Sequence, residues 1–258
     1  MPDVKDPAPA VSRALRVLTV LGASPAQPMT LTTIARELGI AKSSTSNLCA
    51  ALEQGRMIRR VEGGYVLGMR TAELGGQFAL QFHQIREFFP VVEEEAELAG
   101  ELVQIAAHDD LDTLYLVRYE GRERRLGSPL GTRLPLVLTA TGLAMLSAMP
   151  EAAVEDVLAR TEIPALTSRT STSSAAIRAQ IEQARERGVA IDEGASTVGV
   201  TGIAAPLPPW HPADPMLAVG TAIPSAELDP ARIEKISAAI LRVAAALTNP
   251  LGAASRRR

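Results

Sequence analysis

The chain has 258 residues, 47% of them hydrophobic and 21% charged, which is the balance of a globular protein long enough for one large or two ordinary domains. No uninterrupted apolar run approaches the roughly 18 to 20 residues that span a bilayer, and the opening MPDVKDPAPA lacks the basic start and apolar stretch of a signal peptide, so a cytoplasmic protein without membrane association is expected. The formal charge of −3 is unevenly spread, residues 11–70 carrying +5 and residues 71–255 carrying −10, so that only the head is suited to meet a polyanion.

Apolar spacing through Leu15, Leu18 and Leu21 predicts a first helix from about Val11, capped near Ser12, to Gly22. Leu31, Ile34, Ala35 and Leu38 set a second short helix, which Gly39 ends by supplying the left-handed conformation of a tight turn. A third begins at Lys42 or Ser43 and turns Thr45, Leu48, Cys49 and Leu52 inward, leaving Ser43, Ser44, Ser46 and Asn47 outward. Serine, threonine and asparagine compete for backbone hydrogen bonds and weaken helix interiors. Five of them in a row suit a helix that bonds to something outside the protein. Residues 57–61 and 65–67 then form a hairpin about Gly63-Gly64, completing a winged helix-turn-helix over residues 11–70. In that reading Lys42, Arg59 and Arg60 neutralise phosphates, while Ser44, Ser46 and Asn47, with Ser43 beside them, face base edges.

Residues 71–89 read as a linking helix holding all four phenylalanines, a concentration that fits a dimerisation surface or an internal core equally well. PVVEEEAELAG follows as a helix with Pro90 at its first position. Residues 102–121 form a β-hairpin about an Asp-rich turn, and residues 125–130 a further extended stretch. Helices are expected at 139–149, 151–160, 172–187 and 230–247, with strands in GVAIDEG, VTGIAAPL and MLAVGTAIP. Strand runs edged by helices indicate an α+β domain over residues 90–250 rather than alternating parallel units.

Catalytic and metal signals are weak. His83, His108 and His211 lie far apart and outside any HxxxH or HExxH pattern, and Cys49 sits among leucines as a packing residue, so neither metal nor cofactor is expected. The run TSRTSTSS at 167–174 has no neighbouring histidine and no nucleophile-elbow glycines; it reads as a loop and helix N-cap. A small-molecule hydrolase, or a protein-interaction adaptor with a vestigial DNA-binding head, is the alternative to a DNA-binding regulator, and the expectation is of no enzyme.

The segments VSRALRVLTVL, LTTIARELGIAKSSTSNLCAAL, GYVLG, LPLVLTATGLAML, ERGVAIDEG and GVTGIAAPLP, in this order, resemble the IclR type of bacterial transcription regulator over nearly the whole chain. The resemblance implies a winged helix that binds double-stranded operator DNA as a homodimer or dimer of dimers, a linking helix, and a C-terminal GAF-like α/β domain that binds a small organic effector. It places the effector among Leu126, Leu134, Ala140, Thr141, Asp192, Val200, Gly202, Gly220 and Ala222. Asp192 has two readings, a ligand contact or a cap on the turn after its strand. This chain departs from the family pattern at Ser46 and Asn47, where histidine and arginine are common. It departs again at Gly202, Gly220 and Ala222, where a cysteine and serines are frequent, and at Leu143, where a lysine is usual. Loss of the thiol and hydroxyls implies a larger, less polar pocket and a compact aromatic effector.

Overall fold

The computed structural model describes residues 6–24, 27–121, 128–211 and 213–249. The chain divides into two compact units between Gln81 and Phe82.

In the first unit, α1 runs from Pro9 to Gly22, starting before the expected cap at Ser12. Pro9 explains the early start: its fixed φ suits a first helical position, where an N–H has no partner to lose. Helix α2 (Leu31–Leu38) is capped by the Thr30 hydroxyl, which accepts from Thr33 N, and ends at Gly39 with φ 68°. Helix α3 covers Lys42–Gln54, and the wing is β1 (Ile58–Val61) paired antiparallel with β2 (Gly64–Leu67). Val17, Leu21, Ile34, Leu38, Cys49, Ile58 and Tyr65 form the core of this unit.

The expected linking helix over 71–89 is interrupted. Helix α4 (Met69–Ala79) stops, Leu80 to Phe82 are not helical, and α5 (His83–Glu93) begins afresh. Burial explains the break: Phe82, 3% exposed and with extended backbone, inserts into the core of the second unit. Pro90 lies inside α5 instead of opening a new helix, and the acidic segment after Glu94 forms turns.

The second unit is built on a six-stranded sheet. Its strands are β3 (Leu102–Asp109), β4 (Asp112–Glu120), β5 (Arg133–Pro135), β6 (Ala190–Asp192), β7 (Val200–Leu207) and β8 (Leu217–Pro224). They lie in the order β5-β4-β3-β8-β7-β6 with every neighbour antiparallel. The extended stretch expected at 125–130 falls partly on 122–127, outside the described residues, and 128–130 form no strand; the strand at the edge beside β4 is β5.

Helices cover both faces. Against one, Phe88 of α5 and Ile236, Ile240 and Val243 of α9 (Pro230–Ala246) pack on Val103, Ile105, Ile203 and Val219. Against the other lie α6 (Ala140–Ser147), α7 (Glu151–Arg160) and α8 (Ser174–Arg187), through Leu143, Leu146, Val154, Ile177 and Ile181. Strand β3 is therefore buried along most of both faces, where a hairpin with one solvated face would alternate.

Candidate functional sites

On α3 the inward positions Thr45 and Cys49 are 0% exposed, while Lys42, Ser43, Ser44, Ser46 and Asn47 all face solvent. Burial pushes the Cys49 thiol pKa up, consistent with an inert packing residue. The Thr45 hydroxyl is used within the helix, donating to Ala41 O at 3.1 Å. The outward hydroxyls and the Asn47 amide are thus the groups the helix offers externally.

Arg59 and Arg60 are both exposed, but as neighbours on β1 they project to opposite faces of the wing. Arg60 lies opposite Tyr65, its guanidinium 5.1 Å from the ring centroid and donating to the Tyr65 hydroxyl. Arg59 has no carboxylate partner among the described residues. Not all the positive charge of this unit is free: Arg56 and Arg70 share Glu73, at 3.8 and 2.7 Å, and Arg70 holds the Glu73 carboxyl below its ordinary pKa.

In the second unit a cavity of about 290 Å³ lies between the sheet and the start of α6. Leu134, Ala140, Thr141, Asp192, Val200, Gly202, Gly220 and Ala222 all line it; Leu126, the remaining expected residue, is outside the described residues. Sequence reasoning missed Gln104, Tyr115, Ser128, Thr139 and Ser196, which also line it. A signal existed in the first two: a glutamine inside LVQIAA and a tyrosine inside DTLYLV are polar groups in strands otherwise fit for burial.

The roof is ordered by hydroxyls. Thr139 caps α6 by accepting from Gly142 N at 3.0 Å, and its oxygen lies 3.2 Å from that of Thr113 and 3.3 Å from that of Thr141. The Tyr115 hydroxyl is 3.3 Å from Thr141 Oγ1, and burial pushes its phenol pKa up.

Asp192, only 4% exposed, accepts hydrogen bonds from Ala195 N at 2.6 Å, Ser196 N at 3.3 Å and the Ser196 hydroxyl. It therefore caps the turn after β6 while also forming cavity wall. No lysine or arginine pairs with it among the described residues; burial raises its pKa, and the hydrogen bonds from Ser196 and Ala195 oppose the rise. The Ser/Thr run at 167–174 fastens this same turn. Thr167 Oγ1 donates to Gly194 O and Thr170 Oγ1 to Ala195 O, each at 2.7 Å, whereas the N-cap of α8, Ser173, makes no side-chain capping bond.

The glycines do not enlarge the cavity as their composition implied. A Cβ on Gly202 would stand 3.0 Å from Ala140 Cβ; one on Gly220 would stand 2.8 Å from Ala204 Cβ, 3.0 Å from Ile203 O and 3.1 Å from Thr141 Cγ2. The missing side chains let α6 and neighbouring strands close in, so the volume they release is already occupied. Nor is the wall apolar, given Gln104, Tyr115, Thr139, Thr141 and Asp192.

A winged helix with a polar, exposed third helix, joined to an α+β unit that holds a ligand-sized cavity, defines the class of DNA-binding regulators with a small-molecule domain. The IclR helix-turn-helix profile matches residues 10–62, and the profile of the bacterial transcriptional regulator IclR C-terminal domain matches residues 77–249. The chain belongs to the IclR family of bacterial transcriptional regulators. It is 24% identical to the acetate operon repressor of Salmonella typhimurium over 94% of this chain and 89% of that protein. In fold it resembles the crystal structure of an IclR regulator from Alicyclobacillus acidocaldarius, with TM-score 0.80 and 22% identity over 93% of this chain and 97% of the other. It also resembles an IclR homologue from Microbacterium hydrocarbonoxydans in complex with 4-hydroxybenzoate, with TM-score 0.77 and 23% identity over 92% and 98% of the two chains. No helix among the described residues is long and apolar enough to cross a membrane, and no group of three or more His, Cys, Asp or Glu there could hold a metal ion.

Proposed function

We propose that this regulator acts in the cytoplasm as a homodimer or dimer of dimers, and that a compact aromatic effector in the cavity sets its affinity for a double-stranded operator. It acts by binding, without catalysing a reaction. The observation that carries this reading is the cavity of about 290 Å³, lined by buried polar groups and sized for one ring with a few substituents. The 4-hydroxybenzoate complex of the Microbacterium hydrocarbonoxydans relative supports the aromatic class. Backbone N–H groups at the start of α6 would receive an anionic or carbonyl end of the ligand.

On DNA, Asn47, Ser46 and Ser44 read base edges while Lys42, Arg59 and Arg60 fix register through phosphates. For the dimer, α4 offers Leu74 and Phe78, each 42% exposed; Phe82, spent in the core of the second unit, is not available. Leu74→Glu combined with Phe78→Glu should give monomers in sedimentation, and a persistent dimer would place pairing elsewhere.

The test of function is a gel shift on DNA upstream of the protein's own reading frame, with and without 4-hydroxybenzoate. A sequence-specific band whose midpoint moves with the ligand is expected. No specific band would overturn the regulator; a band unmoved by substituted benzoates and phenols would overturn the aromatic effector.

A further inference from the structure

Gln104 lies on β3 in register with Gly220 of β8, which is in turn opposite Ala204 of β7. It is 4% exposed and forms part of the cavity wall. Its amide nitrogen donates to Ser128 O at 2.7 Å. A carbonyl oxygen can only accept, so this bond fixes which way the carboxamide points. The other end of the group, Oε1, meets no hydrogen-bond donor among the described residues. An amide oxygen on the cavity wall is open to a donor from whatever fills the cavity, and a purely packing role would be filled better by leucine or methionine at the same position.

The opposite end of the cavity is Asp192. In the adjacent row of the sheet, Leu102 pairs with Ala222, Ala222 with Gly202, and Gly202 with Asp192. Three strand spacings of about 4.8 Å therefore put β3 roughly 14 Å from β6. Two side chains reaching inward leave room for one six-membered ring over a floor of Gly202, Gly220 and Ala222. Of the two poles, Asp192 has its carboxylate oxygens occupied by its own turn. Gln104 keeps an acceptor open.

We infer that Gln104 determines effector specificity: its Oε1 requires a hydrogen-bond donor, a phenolic hydroxyl or aromatic amine, on the edge of the ring that faces β3. This rests on the aromatic-effector reading above. A ligand presenting an ether or a second carboxylate at that edge leaves Oε1 unsatisfied or repelled. A site built to bond a hydroxyl discriminates strongly against the analogue that lacks it, because the protein group is then left unpaired.

The experiment is calorimetry on the full-length protein with three probes, 4-hydroxybenzoate, 4-aminobenzoate and 4-methoxybenzoate, repeated on Gln104→Met and Gln104→Glu. Wild type should prefer the hydroxy and amino compounds over the methoxy compound by about ten-fold or more. Gln104→Met, which keeps volume and loses the acceptor, should bring that ratio close to one. Gln104→Glu, which keeps an acceptor, should preserve the ratio even if both affinities fall. Both variants lose the donor to Ser128, so a purely structural role would change their ratios alike. A wild-type ratio near one, or an unchanged ratio in Gln104→Met, would overturn the inference. Failure of all three probes to bind wild type would instead overturn the aromatic-effector reading and the specificity claim with it.

Discussion

On α3, the candidate contacts Lys42, Ser43, Ser44, Ser46 and Asn47 come from two consecutive turns and all point to solvent. The cavity draws Gln104, Tyr115, Thr141, Asp192 and Gly220 from separate strands and a helix, and all five are buried. The difference bears on what a substitution reports. Exposed side chains of one helix are free of packing duties, so changing them should leave stability nearly unchanged. Residues around the cavity are also the contact between α6 and the sheet, so changing them mixes ligand binding with stability.

The largest effect separating the two regions lies directly beneath the cavity floor. Ile203 is 0% exposed on β7, facing α9. Ile203→Ala should destabilise the second unit by about 2–5 kcal/mol in urea unfolding. A loss well under 1 kcal/mol would mean that this face is loosely packed. Next, Gly220→Ser forces a Cβ to within 2.8 Å of Ala204 and 3.1 Å of Thr141. It should cost about 1–3 kcal/mol through overpacking. Gly202→Ala, with one close neighbour at 3.0 Å, should cost less. Equal stability of Gly220→Ser and wild type would restore the idea that this glycine leaves open space.

Asn47→Ala should do the reverse: unfolding stays within about 0.5 kcal/mol of wild type, while operator affinity falls by about 1–3 kcal/mol with little change on random DNA. Equal losses on both DNAs would confine Asn47 to the backbone. Arg59→Ala should weaken binding to every sequence and flatten the slope of log affinity against log salt by about one unit. Arg60→Ala should do likewise, with an added loss of stability because its guanidinium packs on Tyr65.

The smallest effect is pH dependence at Asp192. Its folded-state pKa is raised, so the native state holds the proton better than the unfolded state. The protonated form thus stabilises the fold below the ordinary carboxylate range, and that contribution fades as pH rises through the folded-state value. Melting temperatures followed over this window should show a falling contribution in wild type that Asp192→Asn lacks. Parallel curves for the two proteins would leave the titration to another group.

The sequence by itself determined the first unit and the class of the second. Helix spacing at Leu31 to Leu38, Gly39 at the turn, the polar run from Ser43 to Asn47 and Gly63-Gly64 in the wing are local signals, and local hydrogen bonding and sterics realise them as they read. The strands near 190, 200 and 217 and the closing helix were legible for the same reason. Only the tertiary structure decided where α4 gives way to α5, because the break follows from Phe82 entering a core assembled from distant strands. The same holds for Pro90, accommodated inside α5 where sequence suggested a start. It holds for the cavity most of all. Whether Gly220 opens space or lets a neighbour approach depends on Ala204 and Thr141, and whether Gln104 has a use for its oxygen depends on Ser128, which takes only its nitrogen. Such pairings are set by strand order and register, and register joins residues that no short window of sequence contains.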